Sequence, residues 1–358
     1  MRTQQMNVVI RTDGSQDIGS GHVMRCLTLA RELRSNDAAV FFVSNRLCGG
    51  MEEIIKAEGF PVFLFNARDV QEDACETRKT LERLNKDYDL FPAWLVVDHY
   101  SLNQGWQKSI QPFVNKIMVI ADLGSQPFCC DLLLDQNLFD DMESHYSSLV
   151  DRSCKLLLGP RYALLRPEFR KARKSLRKRE GRVERILVFM GGSDPYNLTS
   201  VVIKALDQLD FKSTQVDVVV GMSNPHREEV KARCAEQPNM TFYCQINNMA
   251  ELMARADLAI GARGSATWER CALGLPAITI AIADNQDDGG KNSNLQKAEL
   301  HLGRREKVDS NMIANALKGL INDSEALLKM GQEAYRIMEG SECGPERVAK
   351  AMINEINN

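Results

Sequence analysis

The segment Asp13 to Arg25, DGSQDIGSGHVMR, sets His22 behind the small-residue turn Gly19-Ser20-Gly21 and at the start of a helical pattern. An imidazole there can accept a proton near neutral pH, and glycine lets a ligand approach the backbone closely. The partial positive charge of a helix N-terminus disfavours imidazolium, so this position is expected to keep His22 neutral. A polar or capping role in the first helical turn suits the same residue, and the local pattern leaves both readings open. Gly191-Gly192-Ser193-Asp194 follows the apolar run ILVFM and precedes a helical pattern over Asn197 to Leu209. Free backbone N–H groups at such a junction cradle phosphate, although tight strand-to-helix turns use glycine too. A comparable loop, Arg263-Gly264-Ser265-Ala266, opens a helix carrying Glu269, which is either helix-terminal charge or a grip on ribose hydroxyls. Asp284-Asn285-Gln286 ends another strand pattern and reads as an Asx turn or as a holder of a polar substrate or water. Asp98-His99-Tyr100 and Gln136-Asn137 also stand at strand ends, but no third ligand at fixed spacing supports a metal on Asp98 and His99. No metal is expected, and His145, His226 and His301 read as surface residues.

The elements that position these residues are short apolar runs alternating with helical patterns. Parallel strands are predicted over Asn7 to Ile10, Ala39 to Ser44, Val62 to Phe65, Trp94 to Asp98, Lys116 to Ala121 and Leu132 to Asp135. Val23, Leu27, Ala30 and Leu33 share one helical face, and Met51 to Glu58 forms a second helix. A second series follows over Arg185 to Met190, Gln215 to Gly221, Met240 to Tyr243, Leu258 to Gly261 and Ala277 to Ala281. The expected fold is α/β, two Rossmann-like domains facing a cleft. Their predicted bounds are 1–160 and 185–340, with a basic linker over 161–184 and a C-terminal helix over 341–358 packing across both.

At 358 residues two cores are the natural expectation. A formal net charge of -3 gives no general nucleic-acid footprint. The N-terminus has too short an apolar run for a signal peptide, and no segment reaches the length of a membrane span, so a cytoplasmic protein is expected. The ten cysteines include no CxxC pair and read as reduced, mostly packed thiols. The vicinal pair Cys129-Cys130 suits neither an ordinary disulfide nor zinc.

Several blocks in one order carry a resemblance: IGSGHVMRC (Ile18 to Cys26), VVDHY (Val96 to Tyr100), LLLDQN (Leu132 to Asn137), LLGPRYALLRPEF (Leu157 to Phe169), GGSDP (Gly191 to Pro195), the run Met249 to Pro276, and ADNQ (Ala283 to Gln286). This set resembles the PseG family of pseudaminic acid biosynthesis, hydrolases of UDP-2,4-diacetamido-2,4,6-trideoxy-β-L-altropyranose related in fold to the GT-B glycosyltransferase MurG. The resemblance implies a GT-B fold, a UDP-sugar as the partner molecule and no cofactor. It implies that His22 is the base activating water against the anomeric carbon, and that Asn285 orients water or substrate. Diphosphate and ribose contacts would come from Gly191, Gly192, Ser193, Asp194, Arg263, Gly264, Ser265, Ala266 and Glu269, with Ile246 to Met249 beside the uracil. Asp13, Gly19, Gly21, Arg25, Asp98, Tyr100 and Gln286 complete the expected substrate contacts. The chain departs from the family at Ala121-Asp122, where members commonly carry two acidic residues, and in the polar segment DDGGKNSN after Gln286. A MurG-like glycosyltransferase and a non-catalytic nucleotide-sugar binding subunit are the competing readings.

Overall fold

Runs of Val, Ile and Leu with few charges suit strands buried on both faces, and here they build two all-parallel sheets. The computed structural model describes residues 5–14, 21–45, 47, 50–122, 126–138, 141–209, 213–283, 295–339 and 344–357. Within these, the chain divides into one unit of Met1–Leu164 with Cys343–Asn358 and a second of Leu165–Glu342.

The first unit holds β1 (Asn7–Thr12), β2 (Ala39–Ser44), β3 (Val62–Leu64), β4 (Trp94–Asp98), β5 (Lys116–Ile120), β6 (Leu132–Asp135) and β7 (Lys155–Leu158). Their order is β3-β2-β1-β4-β5-β6-β7. Successive side chains of β1 point to opposite faces, so Val8 and Ile10 join one core with Phe42 and Trp94 while Val9 joins the other with Val43 and Leu95. The strand order reverses between β1 and β4, and the register sets Thr12 opposite Asp98. Residues just beyond these two strands therefore meet at the switch point, where open α/β sheets bind ligands.

The second unit holds β8 (Arg185–Phe189), β9 (Gln215–Val220), β10 (Met240–Cys244), β11 (Leu258–Ala262), β12 (Ala277–Ala281) and β13 (Glu299–Arg304), in the order β10-β9-β8-β11-β12-β13. Its switch point lies between β8 and β11, with Phe189 opposite Gly261. A Cβ at Gly261 would stand 2.7 Å from the Phe189 carbonyl oxygen, so the bare backbone is what lets these strands meet at that point.

Two expectations are corrected. The basic stretch 161–184 is not a linker: helix Pro167–Arg173 inserts Phe169 into a core of the second unit, and Arg173 donates to the Ala272 carbonyl at 2.5 Å. The C-terminal helix, Gly344–Asn357, belongs to the first unit. It contributes Val348 and Met352 to the β1 core, accepts from Trp94 Nε1 at the Met352 carbonyl, and sets Glu355 between Lys116 and Lys155. Strands β7 and β13 were not predicted; both are part-buried edge strands, β7 offering only the three-residue apolar run LLL and β13, ELHLGR, no continuous apolar run. Among the described residues, no helix is long and apolar enough to cross a membrane.

Candidate functional site

In the first unit, helix Gly21–Ser35 begins just beyond β1 and delivers His22 to the end of β4. The His22 Nδ1 lies 2.5 Å from Asp98 Oδ1, and the imidazole side chain is only 6% exposed. An ionised carboxylate can only accept, so Nδ1 is the donor of this contact, and the tautomer it selects carries its lone pair on Nε2. Arg25, one turn further along the helix, donates to both Asp98 oxygens at 2.7 and 2.6 Å and to both Asp122 oxygens at 2.8 Å. Tyr100 reaches Asp122 at 3.5 Å through its hydroxyl and meets the His22 ring edge-on at 4.6 Å between centroids. His22, Asp98, Arg25, Asp122 and Tyr100 thus form a closed ring of contacts. Burial alone would raise the Asp98 carboxyl, but Arg25 and His22 outweigh it and hold Asp98 far below the usual carboxylate range. Asp122 is also lowered against its burial, chiefly by Arg25.

Behind the ring, Asn137 bridges Asp122 to Asp135, whose other oxygen accepts from the Tyr146 hydroxyl at 2.5 Å. Burial, with the charge of Asp122 added, pushes Asp135 up to about 6 against the pull of Tyr146 and Asn137. Asn137 was read from the sequence only as a strand-end residue and Asp122 only as a departure from the family pattern, and neither was placed among the expected substrate contacts. Their place just beyond the ends of β5 and β6 was legible in the sequence, but their partners, Arg25 for Asp122 and Asp122 for Asn137, come together only in the folded sheet.

Three residues of this unit expected to contact substrate have protein partners. Asp98 is fully buried and holds His22 and Arg25. Arg25 is 7% exposed and its guanidinium is taken up by two carboxylates. Asp13 is clasped by Arg11 through two bonds and by His99 at 3.3 Å, and it accepts from the Asn45 backbone. His99 has both nitrogens engaged, since Nδ1 accepts from the Ser101 N–H. Among the described residues no group of three or more His, Cys, Asp or Glu could hold a metal. Tyr100 is 46% exposed, Gly21 is half-buried, and Gly19 lies outside the described residues.

In the second unit the two Gly-rich loops leave β8 and β11, side by side at the switch point. Gly191, with φ of 90°, Gly192 and Ser193 are partly accessible. Asp194 is not: it is buried and accepts from the Leu198 N–H, the Thr199 N–H and the Thr199 hydroxyl at the start of helix Leu198–Asp207. Gly264 and Ser265 are exposed and Ala266 half-buried at the start of helix Ser265–Ala272. Arg263 turns inward onto Glu299 at 2.5 Å. Glu269 accepts from Arg166 at 3.0 Å, and burial raises its carboxyl in spite of that partner, so a ribose contact would have to share the carboxylate. Met249 is 5% exposed within a core, with half-buried Ile246 packed against it. Asn285 and Gln286, following β12, lie outside the described residues. His226 and His301 are not plain surface groups: His226 Nε2 bonds the Pro195 carbonyl, and His301 Nδ1 pairs with the Thr279 hydroxyl.

Two doubly wound units with ligand-type loops at their switch points define a GT-B fold, and the comparisons agree. Residues 186–342 match the glycosyltransferase family 28 C-terminal domain. The solved structure of Acinetobacter baumannii MurG superposes with a TM-score of 0.66 at 13% identity, covering 98% of this chain and 100% of that one. The spore coat polysaccharide biosynthesis protein SpsG of Bacillus subtilis is 26% identical over 337 residues, 94% of this chain and 95% of that protein. The UDP-2,4-diacetamido-2,4,6-trideoxy-beta-L-altropyranose hydrolase of Campylobacter jejuni is 26% identical over 284 residues, 79% of this chain and 94% of that protein. Protein MJ1062 of Methanocaldococcus jannaschii is 27% identical over 286 residues, 77% of this chain, which spans only 55% of that relative's length. Together these likenesses support a MurG-like superfamily.

Proposed function

We propose that this chain hydrolyses a UDP-linked deoxyamino sugar, with UDP-2,4-diacetamido-2,4,6-trideoxy-β-L-altropyranose as the substrate of choice. The observation that carries this reading is the His22–Asp98 pair, which holds the imidazole in the tautomer a general base requires. In the proposed step, Nε2 of His22 takes a proton as a water oxygen bonds to the anomeric carbon, and the bond from that carbon to the UDP oxygen breaks. A single displacement of this kind inverts the anomeric centre. The Asp98 carboxylate stabilises the imidazolium that forms. UDP is a good leaving group, so the remaining requirement is to offset the charge growing on its phosphate. The loops Gly191 to Ser193 and Gly264 to Ala266 are assigned that role, with their backbone N–H groups as donors. Asn285 is assigned to orienting the water. The likeness to the Campylobacter jejuni hydrolase supports the choice of substrate.

His22→Ala is expected to keep UDP binding and to lose roughly 10²- to 10⁴-fold in turnover, about 2.7 to 5.5 kcal/mol. Near-normal hydrolysis by this variant would remove His22 from the role. The match to a glycosyltransferase C-terminal domain favours one rival, transfer of the sugar to an acceptor hydroxyl. Incubation with the UDP-sugar alone separates the two, because only a hydrolase releases free sugar at a useful rate.

A further inference from the structure

Away from both switch points, the second unit carries a cavity of about 900 Å³ between the basic segment 173–182 and helix Ser324–Ile337. The segment is fastened at both ends. The Arg173 guanidinium lies 3.5 Å from the centre of the Tyr335 ring and donates to the Tyr335 carbonyl, while Gly181 sits so close to Ser324 that a Cβ would stand 2.8 Å from its carbonyl oxygen. These anchors lie eleven positions apart on the helix, a span of about 17 Å. The cavity lining between them includes the apolar side chains of Leu176, Leu273, Pro276, Leu327 and Leu328.

The charge on this wall is far from balanced. Residues 170–182, RKARKSLRKREGR, hold eight Lys or Arg against one Glu. Three of those arginines are consumed by the protein itself. Arg173 bonds two carbonyls, Arg177 pairs with Asp257, and Arg179 donates to the carbonyls of Met253, Ala256, Leu273 and Gly274. Lys174, Lys178 and Arg182 also line the cavity, are exposed, and have no partner among the described residues. The volume falls in the range of small-molecule pockets, and its walls combine an apolar lining with three unspent cations.

We propose that this cavity binds an amphipathic anion, with a phosphate or carboxylate head on Lys174, Lys178 and Arg182 and an apolar chain against Leu176, Leu327 and Leu328. A purely hydrophilic polyanion would leave that lining unused. A neutral amphiphile would leave the cations unpaired.

The test is titration calorimetry of the full chain with dodecyl phosphate below its micelle concentration. One saturable site per chain is expected. Affinity should fall at least about tenfold, or 1.4 kcal/mol, in the triple variant Lys174→Ala, Lys178→Ala, Arg182→Ala, and similarly in Leu328→Gln. Inorganic phosphate and dodecyl maltoside should each bind at least about tenfold more weakly than dodecyl phosphate. Flotation with phosphatidylglycerol vesicles, against phosphatidylcholine vesicles, identifies the source. Co-flotation that the triple variant loses assigns the site to a membrane lipid, and dodecyl phosphate binding without flotation assigns it to a soluble amphiphile. The triple variant removes exposed side chains only, and its circular dichroism and UDP binding should match the parent. Absence of saturable binding, indifference to both variants, or equal binding of inorganic phosphate would overturn the proposal.

Discussion

Replacing Asp98 by Asn keeps the side-chain size and removes one charge, and the surrounding contacts decide how the site responds. Oδ1 of Asp98 serves His22 Nδ1 at 2.5 Å and Arg25 Nη2 at 2.6 Å, while Oδ2 serves Arg25 Nε at 2.7 Å. Asparagine supplies only one acceptor oxygen, so its NH2 must face one of these two sets. Arg25 Nη2 has a second acceptor in Asp122 at 2.8 Å, whereas Nε has no other hydrogen-bond acceptor among the described residues. The amide therefore keeps its oxygen on Nε and turns its NH2 toward His22. The imidazole must then accept at Nδ1, which moves its proton to Nε2, the atom proposed to take a proton from water. On the proposed mechanism kcat should fall about 10³- to 10⁴-fold, or about 4 to 5.5 kcal/mol, with KM changed by only a few-fold. One buried acceptor is lost, at about 1 to 3 kcal/mol, so the variant should remain folded. Steady-state UDP release measures the rate, and ¹⁵N NMR of histidine-labelled protein reads which ring nitrogen carries hydrogen. A variant that retains kcat within threefold, or that keeps its proton on Nδ1, refutes the positioning role of Asp98.

A second carboxylate gives a pH test. Asp135 titrates at about 6 in the folded chain against an ordinary 3.8, so the folded state holds an extra proton between those values. Stability from this group is present below about pH 4 and lost as pH rises through 6, a loss of about 3 kcal/mol. Asp135→Asn should remove that dependence and gain on the parent progressively from pH 4 to 7 in urea unfolding; parallel stability curves would contradict it. At Gly221 a Cβ would stand 2.8 Å from Gly192 Cα, so Gly221→Ala should displace the GGSD loop, cost about 1 to 3 kcal/mol and weaken UDP binding. Unchanged calorimetric UDP affinity would separate that loop from the nucleotide. Arg179→Met should cost about 2 to 4 kcal/mol in chemical denaturation, because four carbonyls near the ends of helices Met249–Arg255 and Ser265–Ala272 lose their donor. A midpoint equal to the parent's would show that water replaces the guanidinium.

Local pattern alone determined the element types and most of the strands, since a buried parallel strand announces itself as an unbroken apolar run, as in β1, β4 and β8. It also located the Gly-rich junctions and His22, because a small-residue turn between strand and helix is written in consecutive residues. What those residues touch was decided by tertiary structure. Asp98 lies 76 positions from His22, and Asp122 lies 97 from Arg25, and they meet only because β1 is flanked by β4 and β4 by β5. Strand order is a property of the whole sheet, so the sequence showed carboxylates that read as ligand contacts. The fold gives Asp13, Asp98 and Asp194 protein partners that no local pattern shows. The basic segment makes the same point in reverse. Its charge was plain in the composition, but only packing distinguishes Arg173, Arg177 and Arg179, held by carbonyls and Asp257, from Lys174, Lys178 and Arg182, left to solvent. Burying a guanidinium requires acceptors gathered from distant parts of the chain, and the folded structure alone supplies them.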